Sequence, residues 1–173
     1  MRMTMKDLLY GALLTALALL IPLAFQGWLQ VAIPPFSATL ASHLPTMLAM
    51  TVSPWVAILV GLGSSFGFFM TLGPIVAMRA LTHAVFGGVG AKLYQKGFAL
   101  WQILLITLPI HALSEAAVVM LFDFSLHQAL LLVGLGTALH HTADSIITLS
   151  VYGSLRKAGV PLGLRAKGTV RNF

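Results

Sequence analysis

The sequence contains no cysteine, which excludes disulfides, thiolate nucleophiles and cysteine-held metals. Charge is nearly as scarce. Asp, Glu, Lys and Arg together make up 8% of the 173 residues, and only four of them are acidic. An ordinary soluble domain carries about 25% charged residues. There is no glycine-rich phosphate loop, no Walker motif and no nucleophile–base pattern, so an ATPase activity would have to belong to another chain. What fills the chain instead is apolar: 58% hydrophobic residues and a mean hydropathy of +0.95. These values imply a single-domain, all-α integral membrane protein over residues 1–173.

Six apolar segments emerge, at about 8–25, 37–52, 54–71, 74–94, 100–122 and 128–153, each near the ~20 residues needed to cross the hydrocarbon core. The opening run follows Arg2 and Lys6 without a small-x-small cleavage site, so it reads as a first transmembrane helix rather than a signal peptide. Pro34-Pro35, Ser53-Pro54 and Gly73-Pro74 punctuate the segments, because the residue before proline disfavours helix. Of the ten lysines and arginines, all but Arg79 fall before the first span, at the junction of the fourth and fifth (Lys92, Lys96), or after the sixth, where Arg156 leads into a basic tail over 157–173. The positive-inside rule then puts both termini in the cytoplasm. The net charge of +6 thus reports topology and contact with anionic lipid rather than nucleic acid. Tyr10, Trp55, Tyr94, Trp101 and Tyr152 fall where an inner aromatic belt would lie. Gly61, Gly63, Gly67, Gly87, Gly88 and Gly90 read as sites of close helix packing.

Arg79 stands within an apolar stretch, where a charge costs roughly 2.5–3.5 kcal/mol on insertion scales and normally faces a protein-lined cavity. His43, His83, His111, Glu115, His140, His141 and Asp144 are further polar groups within the spans. Arg79 with His83, His111 with Glu115, and His140 with Asp144 recur at i,i+4, which puts each pair on one helix face. Counting 1.5 Å per residue places His43, Arg79, His111 and Glu115 at one depth below the external face. The same count puts His140, His141 and Asp144 deeper. The pattern predicts a pocket, open to the outside, for a small polar or anionic solute. Arg79 would grip a carboxylate, and His43, His83, His111, His140 and Glu115 would exchange hydrogen bonds with the solute. The competing reading pairs Arg79 with Glu115 as structural glue. A membrane metalloenzyme built on His111, Glu115, His140, His141 and Asp144 is a further alternative. Adjacent histidines on a helix point about 100° apart, which counts against that ligand set, so no metal or other cofactor is expected. His127 reads as a solvated loop residue.

Six short spans, cytoplasmic ends and the Ala12-x-x-x-Ala16 face of span one resemble the S component of an energy-coupling factor (ECF) vitamin transporter. Ala41-Ser42-His43-Leu44-Pro45 and Arg79-Ala80-Leu81-Thr82-His83 are similar to segments of the niacin-type S components. The resemblance implies a vitamin-binding subunit of a prokaryotic plasma membrane, not an enzyme, that works with a transmembrane coupling subunit and two ATPases. Nicotinate is the substrate it favours, with pantothenate, cobalamin, folate or a queuosine precursor as the other vitamins such a subunit could take. It further implies that Ala12 and Ala16 dock on the coupling subunit. Residues 26–36 would form a loop over the site, with Trp28 and Phe36 as stacking groups.

Overall fold

A computed structural model describes residues 3–162. Five of its helices, or runs of consecutive helices, are long and apolar enough to cross a membrane: Met5–Phe25, Pro54–Leu72, Pro74–Gln95, Leu100–Met120 and Leu126–Lys157. The boundaries follow from local chemistry. Helix α1 (Met5–Phe25) opens on a reciprocal cap, in which Thr4 N–H donates to Asp7 and Asp7 N–H donates back to Thr4, satisfying two of the orphan donors of the first turn. Helix α3 (Pro54–Leu72) starts at Pro54, and the Ser53 hydroxyl accepts from Val56 N–H. It stops at Gly73, whose φ of 82° suits glycine. Pro74 then begins α4 (Pro74–Ala80), which a single turn residue, Leu81, separates from α5 (Thr82–Gln95). Helix α6 (Leu100–Met120) follows. The last span comprises the short α7 (Leu126–Gln128), a π-helical turn over Ala129–Gly134, and α8 (Leu135–Lys157).

The expected span over 37–52 takes a different form. Strands β1 (Gln30–Ile33) and β2 (Phe36–Thr39) make an antiparallel hairpin, closed by Pro34-Pro35 with a cis peptide bond between them. Only Leu44–Ala49, helix α2, is α-helical, and Pro45 to Ala49 are all buried. The reason is chemical. Ser37, Thr39, Ser42 and His43 interrupt the apolar run, and Pro45 sits in the first turn of a helix that cannot extend backwards past it.

Glycines set how the spans meet. A side chain at Gly63 would run into Thr15, and one at Gly67 into Leu19, while Gly11 faces Val56, so α1 and α3 run parallel. Gly61 abuts the backbone of Ala84 and Gly87 faces Ala57, so α3 and α5 run antiparallel. An apolar core that includes Met47, Met50, Val56, Val60, Phe86, Ile103 and Leu104 fills the end of the bundle near Tyr10, Tyr94 and Tyr152. A smaller cluster of Ala116, Val119, Ala129 and Val133, with Phe36 packed against it, closes the other end. The polar residues lie between the two. The expected basic tail is described only to Leu162; Arg165, Lys167 and Arg171 lie outside the described residues.

Candidate functional site

Arg79, at the end of α4, is 3% exposed, and each of its N–H directions finds an acceptor. Nε and Nη2 donate to Glu115 Oε2 at 3.1 and 2.6 Å. Nη1 donates to the Pro35 carbonyl at 2.9 Å and to Ser37 Oγ at 3.2 Å, and Nη2 also reaches the Ser37 carbonyl at 3.3 Å. A guanidinium has five N–H donors, and here all five are engaged. Arg79 therefore ties the hairpin to α6. The pairing of Arg79 with Glu115, weighed in the sequence as structural glue, is present.

Glu115 is held from several sides. The Thr137 hydroxyl donates to Oε2 at 2.6 Å, and His111 Nε2 lies 3.3 Å from Oε1, with His83 Nε2 at 3.9 Å. The outer nitrogens of these two histidines have partners of their own. His83 Nδ1 meets Ser64 Oγ at 3.0 Å, and His111 Nδ1 meets His141 Nδ1 at 3.1 Å. His141 Nε2 lies 3.1 Å from the Leu104 carbonyl and, since that oxygen can only accept, donates to it.

Asp144 forms a second centre. Its carboxylate accepts the backbone N–H groups of Ala41 and His43 at 2.8 and 3.0 Å, and His140 Nε2 lies 3.2 Å away. Ala41 adopts φ 63°, a left-handed conformation that costs a non-glycine residue about 1–2 kcal/mol. The buried carboxylate holds this strained turn, and the turn presents His43. His43 Nδ1 lies 3.0 Å from Asp144 Oδ2 but out of hydrogen-bonding line. It is one of three buried side-chain atoms among the described residues with no hydrogen-bond partner, beside Ser42 Oγ and Thr46 Oγ1.

His43, Arg79, His83, His111, Glu115 and His140 thus come together in one buried network. The depth estimate needs correcting for His140, His141 and Asp144. They do not form a deeper layer, since the His140 ring lies 4.3 Å from that of His43, and the His141 ring 5.3 Å from that of His111. The hairpin accounts for the difference. It folds inward until Phe36 packs on Gly136 and the Thr39 carbonyl meets His140. Phe36 also lies with its ring 5.7 Å from the Arg79 guanidinium. Trp28 does not join the site; it is 67% exposed and donates to the Ala24 carbonyl of its own segment. His127 is exposed. Ala12 and Ala16 are exposed on α1 and line a groove of about 460 Å³ between α1 and α3.

The sequence brings Asp144 and His141 in only as ligands of the alternative metal reading, not of the solute pocket, and it does not single out Ser37, Ser64 or Thr137. The i,i+4 spacing of His140 and Asp144 was the available signal for the first. Serines and threonines in a membrane span look alike whether they pack or bind. Ser37, Thr39, Ser42, His43, Arg79, His83, Glu115 and His140 line a cavity of about 20 Å³. That is room for roughly one water and not for an aromatic ring. One nitrogen from each of His43, His83 and His111 lies within 4.8 Å of the other two, a spacing from which a metal could be held.

The chain is 31% identical over 170 residues to the niacin transporter NiaX of Lactococcus lactis subsp. cremoris (strain MG1363), a match covering 88% of this chain and 76% of that protein. No family model matches the chain, and no solved structure matches it significantly. With its apolar helices, it is a multi-pass protein of a prokaryotic cell membrane. On that relationship the chain belongs to the niacin-type S components of energy-coupling factor transporters.

Proposed function

We propose that the buried Arg79–Glu115–histidine network is the binding site for nicotinate, which the subunit captures from outside and delivers inward with a coupling subunit and two ATPases. The observation that carries this reading is a charged, histidine-rich network closed by a hairpin inside an otherwise apolar bundle. A flat monoanion suits a guanidinium with imidazoles around it. The cavity is too small for the vitamin with the hairpin latched, so entry requires the hairpin to lift. The carboxylate then competes with Pro35 and Ser37 for Nη1 and Nη2 of Arg79. Loss of those latch bonds offsets part of the binding energy, and Ser37→Ala should raise the association rate.

Six membrane crossings with both termini inside fit the geometry. Helices α1 and α3 run parallel, so residues 26–53 must return the chain to its starting side, although α2 is too short to span alone. The Tyr94 and Tyr152 hydroxyls meet at 3.1 Å. That contact brings the connection after α5 and the end of α8 to one face, the face that carries Lys92, Lys96, Arg156 and Lys157. Ala12 and Ala16, open beside the α1–α3 groove, offer a flat strip for the coupling subunit.

The test is a thermal-shift titration of the purified subunit with nicotinate, nicotinamide and a panel of other vitamins, since a ligand of the folded state raises its stability by mass action. Stabilisation by nicotinate alone is the expected result; stabilisation by a different vitamin would reassign the substrate. For the docking strip, bulky residues at Ala12 and Ala16 should abolish uptake while binding to the isolated subunit survives. Uptake that persists would put the docking face elsewhere.

A further inference from the structure

We propose that His43, His83 and His111 form a three-histidine site for a divalent transition metal, zinc or a cation of similar preference, whose open fourth position receives the vitamin. The proposal rests on the niacin reading for the fourth ligand and on the geometry for the other three.

The three imidazoles come from different elements: the residue preceding α2, helix α5 and helix α6. Their ring centroids lie 4.6, 4.7 and 5.1 Å apart at interplanar angles of 80–88°, so the rings meet edge to face around one point rather than stacking. One nitrogen of each lies within 4.8 Å of the others. At zinc–nitrogen bonds of ~2.0–2.1 Å, tetrahedral ligands stand about 3.3 Å apart, so small rotations of the rings close the site.

What distinguishes this trio from a satisfied histidine cluster is the outer shell. A metal-bound histidine characteristically gives its other ring nitrogen to a protein group that fixes tautomer and orientation. His83 Nδ1 has Ser64 and His111 Nδ1 has His141, and both Nε2 atoms face inward toward Glu115 Oε1, where a bound metal would take the place of the 3.3 Å contact that His111 Nε2 makes there. His43 Nδ1 has Asp144 Oδ2 at 3.0 Å, yet the ring is turned out of line and the atom is unpartnered. The rotation that would align this bond also reorients the opposite nitrogen, which a bound metal would fix. This set shares His111 with the ligand combination of His111, Glu115, His140, His141 and Asp144 that the sequence spacing counts against, and replaces the adjacent histidines with His43 and His83.

Charge points the same way. With the imidazoles neutral, the buried site holds one cation, Arg79, against two carboxylates, Glu115 and Asp144. A monoanionic vitamin entering it would leave two uncompensated negative charges away from water, which is strongly unfavourable. A divalent cation on the three histidines makes the loaded site neutral. Protons on the imidazoles are the competing way to supply that charge.

The experiment uses the full chain in detergent, stripped with a chelator and titrated with cobalt(II), whose visible d–d absorption reports four-coordinate nitrogen ligation. One cobalt per chain is expected, with a band that zinc abolishes. His83→Ala and His43→Ala should lose the band, while His127→Ala, altering an exposed histidine, should keep it. Nicotinate should change the band and bind at least tenfold more weakly to the stripped protein at constant pH. Because the cobalt spectrum is read on the unaltered chain, a variant that fails to fold leaves the test intact. Absence of stoichiometric cobalt binding, or equal nicotinate affinity with and without metal, overturns the proposal and leaves the niacin reading standing. A cobalt band that nicotinate never perturbs, in protein that nicotinate does not stabilise, removes the niacin reading and the fourth-ligand role while the three-histidine site remains.

Discussion

On one side of Phe86, the side chains of Met47, Met50, Val56, Val60, Ile103 and Leu104 fill the space between the helices. On the other side, the rings of His43, His83, His111 and His141 reach that same phenylalanine and lead into the Arg79–Glu115 pair. The apolar half is held by contacts that are individually small and interchangeable, since dispersion and burial add over many atoms. The polar half is held by a few directed bonds, each of which leaves an uncompensated group behind when its partner goes. The first arrangement supplies stability that degrades gradually. The second supplies a defined constellation that is nearly all-or-none. The site is built from the kind of bonding that tolerates least change, and the hairpin that covers it is fastened by the same arginine.

The sharpest way to break this contrast is Glu115→Ala. Removing one partner of a buried ion pair destabilises by roughly 3–5 kcal/mol, whereas replacing both partners by apolar residues of similar size is often neutral. Glu115→Ala should therefore unfold the subunit at much lower temperature or denaturant, and Arg79→Met with Glu115→Met should recover most of the loss without recovering ligand binding. Equal stability of the single and double variants would mean that the pair contributes through shape, and the distinction between the two halves would fail.

How much of this was legible in the sequence follows the same divide. Arg79 announced itself because a guanidinium in an apolar run demands an explanation from one residue alone. The i,i+4 pairs were legible because helix periodicity fixes which side chains share a face. The hairpin was not. Residues 37–52 are apolar enough to count as a span, and what makes 36–43 a strand and turn is a set of distant partners. Arg79 bonds Ser37, Gln30 bonds Thr39, and Asp144 bonds the backbone at Ala41 and His43. Apart from the Gln30–Thr39 bond inside the hairpin, these contacts span 42 to 103 residues and leave no periodic trace. For the same reason Trp28, plausible as a stacking group by its position in the chain, turns out to face outward.

A smaller effect is expected where the apolar half is least forgiving. A Cβ at Gly61 would land on the backbone of Ala84, and backbone cannot step aside as the end of a side chain can. Gly61→Val should push α3 and α5 apart and cost about 1–3 kcal/mol, the usual range for overpacking, as read by thermal unfolding in detergent. Gly153 has no neighbour within 4 Å of an added Cβ, so Gly153→Ala is the control. A loss at Gly153 as large as at Gly61 would show that helix glycines matter here for flexibility and not for close approach.

The smallest effect has the opposite sign and tests the polar half from its backbone. Ala41 holds φ 63° while Asp144 accepts its N–H. Glycine adopts that conformation without the Cβ clash that costs other residues about 1–2 kcal/mol. It also makes the unfolded chain more flexible, which gives back about 0.4–1 kcal/mol. The difference leaves Ala41→Gly between neutral and stabilising by about 1.5 kcal/mol if the turn is pinned independently of its own side chain. In an Asp144→Asn background, where an amide replaces the accepting carboxylate, the turn relaxes and the gain should vanish. A gain that persisted there would mean that packing, and not the Asp144 carboxylate, forces Ala41 into the left-handed region and His43 into the site.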